Sequence, residues 1–400
     1  MPRRTGCALL VAAATLSAQS VVNLNPETPN TPHHAAKPGS EIRITLPGDH
    51  RKARLSIGTE NLRIAARTHQ AGSTILTLRL PNAVAEGCYV PVHIIENGAP
   101  LPDSIPIAIS STGACRPPMY QFSNAWITKH TGIVARIQTT EWALETAGQQ
   151  HTVDIAGAFF DGDATLLRPG TLLRFPPPGY CASRSGAYPP GTARIDILLP
   201  LLIDDLSGKE LDAGSTLAVD DGRYQMTIPQ VIGRSAMFHR TVASSQQQLS
   251  ALQTSGNLRV RATGGREVGP FAATLPLPEP FDWTNRPTTP LLPLRRDIPL
   301  AWETAGSPGV VLLAAMALDA ETSRYSYCLC IADAAARRFA LPAPILRSLL
   351  QAVSPNLRET AGMLYLIHAP QTLHSFPSDH LETAVGLSLQ VHAAKLLLQR

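Results

Sequence analysis

The chain has little charge and few aromatic side chains, with charged residues at 16% and aromatics at 5% of 400 positions. It carries no glycine-rich phosphate loop, no H-E-x-x-H zinc motif and no paired-carboxylate motif, so nothing points to nucleotide, zinc-hydrolase or glycosidase chemistry. Basic residues are dispersed: the net charge of +4 is scattered over single Lys and Arg, with pairs such as Arg295-Arg296 and Arg337-Arg338 but no basic block. Nucleic acid is therefore not expected as a partner, because phosphate binding needs clustered charge to release counterions. Beyond the first twenty residues no stretch is long and apolar enough to span a bilayer, so no membrane span is expected once that leader is removed.

What the chain does have is punctuation. Thirty-five Pro and 28 Gly set against that low charge suit many short strands joined by turns. Its length exceeds what one hydrophobic core organises, which predicts two or three domains. The first residues read Arg3-Arg4, an uncharged stretch from Gly6 to Leu16, then Ser17-Ala18-Gln19-Ser20. That order is the n-region, h-region and cleavage site of a signal peptide, with cleavage expected after Ala18 or Ser20 and a secreted product. Cys7 would be lost, leaving Cys88, Cys115, Cys181, Cys328 and Cys330 in an oxidising compartment. An odd count leaves at least one thiol unpaired unless chains cross-link. Cys181 with Cys330 is one pairing open to the chain, and it would leave Cys328 free. Cys328-Leu329-Cys330 lacks the partner pair that a zinc site needs.

Residues 1–20 thus form the signal peptide and 21–37 a linker without periodicity. Period-two patterning starts at Glu41-Ile42-Arg43-Ile44-Thr45-Leu46 and recurs at Leu55 and Ile57, Leu62 and Ile64, and Leu76, Leu78 and Leu80, with turn residues between. Tyr89 to Ile95, the turn signal Asn97-Gly98 and the return at Ile105 to Ile109 complete a sandwich over 38–117. Pro91 and Pro106 lack ladder donors and are expected at an edge or bulge. A second sandwich-like domain is expected over 118–277, with strands at Gly132 to Gln138, Arg194 to Leu199, Arg223 to Ile228 and Leu258 to Ala262. Its hairpin turn is Asp220-Asp221-Gly222, and a short helix is expected at Gln246 to Leu252. Residues 278–296 form a proline-rich linker or ordered crossover. A third β-rich domain covers 297–400, with strands at Leu300 to Trp302, Val310 to Met316, Tyr325 to Ile331, Met363 to Ile367 and Val385 to Val391. Its connecting helix opens at Pro344, where Ile345, Leu346, Leu349, Leu350 and Val353 share one face. The expected class is all-β: tandem immunoglobulin-like β-sandwich domains with one short connecting helix in the C-terminal region.

Gly87-Cys88-Tyr89-Val90-Pro91-Val92, followed by Gly113-Ala114-Cys115, resembles a large family of uncharacterised secreted proteins of soil acidobacteria with an immunoglobulin-like sandwich of the IPT/TIG type. The resemblance extends through Val21-Val22-Asn23, Pro38-Gly39-Ser40, Leu211-Asp212-Ala213-Gly214, Phe281-Asp282-Trp283-Thr284-Asn285, and Cys330 with Phe339-Ala340-Leu341-Pro342. Pro102-Asp103-Ser104 departs from the family's usual Ser-Asn strand opening. The resemblance implies the sandwich and export, and brings no activity, cofactor or site. Together with the hairpin between them, it implies a Cys88–Cys115 disulfide, whose closure contributes roughly 3 to 4 kcal/mol.

Other constellations point to chemistry only weakly. Ser235 in Gly233-Arg234-Ser235-Ala236-Met237 departs from a nucleophile elbow at its last position. Asp161-Gly162-Asp163 lacks the further acidic ligands of a calcium loop, and reads as a turn. His374, Asp379 and His380 share a proline-containing loop without fixed geometry. Trp126, Trp142, Trp283 and Trp302 are expected in cores rather than in a sugar-stacking platform. No catalytic, cofactor-binding or metal-binding residue is assigned. The reading is a secreted non-catalytic protein, a binding, adhesive or cell-surface structural module for an unknown extracellular protein or glycan. The alternative is an extracellular carbohydrate-binding accessory or hydrolase with its site in the sandwich loops.

Overall fold

The computed structural model describes residues 20–23, 35–112, 130–143, 148–161, 176–187, 209–231, 237–243, 252–254, 256–287, 291–306, 309–319, 324–353, 359–370 and 374–399. Its N-terminal strands are β1 (Ser20–Asn23), β2 (Glu41–Pro47), β3 (Arg54–Ile57), β4 (Glu60–Asn61), β5 (Arg63–Gln70), β6 (Ser73–Arg79), β7 (Gly87–Glu96), β8 (Ala99–Pro100) and β9 (Ile105–Ile109). One sheet runs β1-β2-β6-β5, and the facing one runs β4-β3-β7 with β8 and β9 on β7. Lettered along the chain, this is the A-B-E-D and C′-C-F-G order of an immunoglobulin-like sandwich. Alternation builds it. Ile42, Ile44 and Leu46 of β2 and Leu76 and Leu78 of β6 point inward against Leu55, Ile57, Val90, Val92, Ile94 and Ile107, all nearly fully buried.

Two details follow from backbone chemistry. Pro91 and Pro106 stand directly opposite one another in the β7–β9 ladder, beside a register irregularity between Gly87 and Val90. An opposed antiparallel pair exchanges both hydrogen bonds or neither, so two prolines fit only at a non-hydrogen-bonded pair. Of residues 21–37, expected as a linker, parts of the described stretches 21–23 and 35–37 pair with the sandwich. Val21-Val22-Asn23 pair with β2, and Ala36 bridges Ile109 in parallel, donating to the Ala108 carbonyl at 2.9 Å. A four-residue strand and one bridge are too short for periodicity to register.

The remaining strands are β10 (His130–Ala143), β11 (Gly148–Asp161), β12 (Cys181–Ala187), β13 (Lys209–Glu210), β14 (Thr216–Asp220), β15 (Gln225–Pro229), β16 (Met237–Ala243), β17 (Asn257–Ala262), β18 (Phe271–Pro276) and β19 (Phe281–Trp283). After them come β20 (Leu291–Pro293), β21 (Ile298–Thr304), β22 (Gly309–Asp319), β23 (Arg324–Asp333), β24 (Arg338–Leu341), helix α1 (Ala343–Val353), β25 (Glu359–Pro370), β26 (His374–Ser375) and β27 (Thr383–Gln399). An eleven-stranded sheet runs β12-β23-β22-β25-β27-β10-β11-β13, with β16 on β11 and β20 and β26 on β27. β10 and β27 pair in parallel from Thr131 with Thr383 to Ala143 with Lys395. The stretches expected as a second and a third domain therefore share one sheet, joined at the β12–β23 and β27–β10 pairs.

The large sheet is covered in parts. The smaller sheet β15-β14-β17-β18 lies over β10, β11 and β16, burying Leu217, Val219, Ile228, Leu258 and Val260 against Val153, Ile155, Phe159 and Phe238. The three-stranded sheet β19-β21-β24 and helix α1 cover the other half, where Trp283, Trp302, Leu346 and Leu349 meet Val311, Leu313, Cys330 and Leu366. β22 is buried on both faces, which explains why its sequence is a continuous apolar run. The helix follows Pro342 with Pro344 in its first turn, the Asp297 carboxylate accepts the Ala343 N–H at 2.8 Å, and Ile345, Leu346, Leu349 and Leu350 are its buried face. Asp221-Gly222 turns between β14 and β15, with Gly222 at φ 88°. Arg194 to Leu199 lie outside the described residues, as does the predicted 246–252 helix except for Leu252, which begins a short helical turn.

Leu313 is fully buried in β22, whereas Leu277 is 40% exposed. Leu313→Ala is expected to lower unfolding free energy by about 3 kcal/mol, and Leu277→Ala by less than about 0.5 kcal/mol, in urea titrations. Equal losses would contradict the assigned core.

Candidate functional site

The cysteines give the sequence-predicted residues their firmest placement. Cys181 and Cys330 are directly opposed in the β12–β23 ladder and form a disulfide, with their Cα atoms 4.0 Å apart. It closes a sequence separation of 149 residues between the stretches expected as second and third domains. Cys328 remains a free, fully buried thiol, its pKa pushed up to about 12 by desolvation. Cys115 lies outside the described residues, as does the Cys88 side chain.

The other candidates do not assemble a site. Ser235, Gly162, Asp163 and Trp126 lie outside the described residues, and Asp161 ends β11. His374 sits in β26 opposite Gly386, while Asp379 uses its carbonyl to accept from Gly269 at 3.0 Å, and His380 adopts φ 69°. Among the described residues no three His, Cys, Asp or Glu side chains converge to hold a metal. Trp142, Trp283 and Trp302 are buried in one core, and the Trp302 indole donates to the Ala334 carbonyl at 3.0 Å.

Motif residues behind the resemblance sit at joints. The Asp212 carboxylate accepts the Gly214 N–H at 2.9 Å, and its backbone carbonyl accepts from Glu267 and Val268, which ties the start of β14 to the loop before β18. The Glu267 carboxylate accepts the Asp212 N–H and pairs with Lys209; these bonds hold its pKa below the usual value, the Lys209 hydrogen bond foremost. The Asn285 side chain bonds the Trp283 indole, the Ala301 N–H and the Pro299 carbonyl, fastening β19 to β21.

Three further constellations join residues that no local spacing links. The first is the proline-rich crossover before and within β19. Its prolines have no N–H, so it offers more acceptors than donors, and the sheet supplies donors to two of its carbonyls: Ser388 Oγ to the Pro276 carbonyl at 2.8 Å and His392 Nε2 to the Phe281 carbonyl at 2.7 Å. Phe281 stacks on His368 and lies tilted against His392, and His392 stacks on Trp142, over which the Arg286 guanidinium lies at 5.1 Å. His392 Nδ1, His368 Nε2 and Trp142 Nε1 are buried without hydrogen-bond partners. Desolvation lowers the pKa of both imidazoles and keeps them neutral.

The second is Asp154 Oδ1, which accepts from His239 Nε2 at 3.1 Å and from Thr241 Oγ1 at 2.5 Å across the β11–β16 pair. Both partners address one carboxylate oxygen. The threonine hydroxyl donates to the carboxylate and also lies 3.4 Å from His239 Nε2, so the three side chains form one cross-strand tie.

The third is the junction between the N-terminal sandwich and the large sheet. His93 Nε2 donates to the Cys181 carbonyl at 3.0 Å, Ser104 and Ser183 exchange bonds, and the Asp103 carboxylate accepts the Ser185 N–H at 2.7 Å. Asp103 and Ser104 thus cap this edge of β12. Burial also lowers the His93 pKa.

No family model and no curated protein matches the chain. Among solved structures it is similar to the I9–I11 tandem from titin, at 6% identity over 89% of this chain and 95% of that one with a TM-score of 0.14. It is also similar to the SGBP-B of a Bacteroides ovatus mixed-linkage glucan utilization locus, in complex with a mixed-linkage heptasaccharide, at 9% identity over 76% and 70% with a TM-score of 0.16. A pullulanase from Anoxybacillus sp. LM18-11 matches at 10% identity over 57% of this chain and 23% of its own length, with a TM-score of 0.15. Likenesses at this level carry no argument about function. The sandwich assignment rests on the strand order described above.

Three buried neutral histidines make stability depend on pH. Their native pKa values lie below the ordinary 6.5, so near and below that pH the unfolded chain binds protons that the native one refuses. Stability is full above about pH 6.5 and falls as the pH drops, levelling off below the depressed native values. Urea midpoints should decrease from pH 7.5 to pH 5, and less steeply in His392→Gln, which keeps a donor for the Phe281 carbonyl but cannot titrate. A midpoint indifferent to pH over that range would refute the assignment.

Proposed function

We propose that the protein is an exported, non-catalytic module that binds an extracellular protein or glycan, or serves as a structural part of the cell surface. The observation that carries this reading is how its polar side chains are engaged. His93, Asp103, Ser104, Asp154, Asp212, His239, Asn285, Ser388 and His392 each bond a neighbouring strand, crossover or loop, so these polar groups act as ties within and between the sheets. An arrangement of that kind favours a rigid scaffold presenting loops.

Export is supported by Arg3-Arg4, the apolar stretch from Gly6 to Leu16 and the small residues after it, and by a disulfide across the sheet, a bond that suits an oxidising compartment. The acidobacterial secreted family is proposed on the same footing, from the motif that opens β7.

Mass spectrometry of secreted material is expected to give a mature N-terminus at Gln19 or Val21; intact Met1 on a cytosolic protein would refute export. A glycan array and a hydrolase substrate panel on the mature protein test the rest. Binding without turnover is the expected outcome, and turnover abolished by one acidic or histidine substitution would overturn the non-catalytic reading.

A further inference from the structure

Strand β12 is held along both edges, and the two holds differ in kind. Backbone groups of Cys181, Ser183 and Ser185 face the N-terminal sandwich, as the bonds from His93, Ser104 and Asp103 show. Alternation then turns those of Ala182, Arg184 and Gly186 toward β23. Side chains divide unequally. Tyr180, just before β12, packs into the core of the N-terminal sandwich, and its hydroxyl accepts the Ala85 N–H. Toward the large sheet, Cys181 is the β12 residue in the apolar core, Gly186 brings no side chain beneath the Tyr325 ring, and Ser183 Oγ is buried without a partner. Apart from the disulfide, β12 is joined to the large-sheet side by its backbone ladder with β23, by contact with helix α1, and by flanking bonds such as Ile331 N–H to the Tyr180 carbonyl and Ser326 Oγ to the Arg184 carbonyl.

We propose that the Cys181–Cys330 disulfide is a redox latch: once it is reduced, β12 parts from β23 but stays on the N-terminal sandwich, which leaves the large sheet carrying this strand. The reductant is a dithiol. One of its thiolates attacks a sulfur of the pair, the S–S bond breaks, and the second thiol resolves the mixed disulfide. The products are two protein thiols, which take up the two protons, and one oxidised dithiol. Opening also separates both β8 and β12 from helix α1, against which they lie. It uncovers the edge of β23 and the Cys328 thiol. In the latched state that thiol is buried and held protonated, so it is inert.

Alternation along β12 gives a test that local fraying cannot imitate. Hydrogen exchange is followed in the full chain, wild type and Cys181→Ala/Cys330→Ala, with β25 and β27 amides as the internal check that the large sheet stays folded. The variant is expected to exchange the Ala182, Arg184 and Gly186 amides roughly a hundredfold faster, while the Ser183 and Ser185 amides keep their wild-type protection. Peptide-mapped thiol labelling should find Cys328 reactive in the variant and unreactive in the oxidised wild type, and dithiol titration of the wild type should reproduce both changes. The proposal is overturned if both sets of β12 amides lose protection together, if the β23-facing set stays protected, or if Cys328 remains unreactive. Should the β25 and β27 amides also exchange, the disulfide holds the whole sheet together and the latch is likewise rejected.

Discussion

The parallel pairing of β10 with β27 is the constraint on which most of the molecule depends. It places the first long described strand after the N-terminal sandwich beside the last described strand, from Thr131 with Thr383 to Ala143 with Lys395. β27 also carries β25, β20 and β26, and β10 carries β11, so this seam joins the two halves of the large sheet. A parallel contact between such distant segments has a large loop-closure entropy to overcome. Burial on both faces of the sheet supplies the compensation.

Polar groups follow the same logic of joining. A crossover rich in proline offers carbonyls and few donors, and the sheet beneath it answers with Ser388 and His392, four residues apart on one face of β27. The exposed edge that β12 would present is capped by Asp103, Ser104 and His93 of the N-terminal sandwich, which removes a template for unwanted strand pairing. Arg136 shows the cost of such ties. It is fully buried, its pKa is drawn down to about 10 by desolvation, and its guanidinium donates to the Leu252 carbonyl.

Much of this was legible in the sequence, for physical reasons. Strands with one buried face, such as β2 and β6, announce themselves by alternation, and the Asn97-Gly98 and Asp221-Gly222 turns by their chemistry. The helix was legible because four apolar residues share one side of it. What could not be read was pairing between distant segments. Period-two patterning says that β10 and β27 are strands but not that they are neighbours, so a proline-rich stretch between them looked like a domain boundary. The ties at Asp154, His368 and His392 were hidden likewise: each joins residues from different strands, and no local spacing marks them. The Cys181–Cys330 bond could be named because few cysteines were available, yet its place across one ladder needed the fold.

The most direct measurement on this architecture is amide hydrogen exchange in β10, comparing the full chain with one ended after Pro370. If β10 owes its place to β27, the amides of residues 131–143 that face it should exchange at unprotected rates in the shortened chain. Protection of those amides equal to that in the full chain would mean that the seam is not what holds the sheet, and would contradict the account.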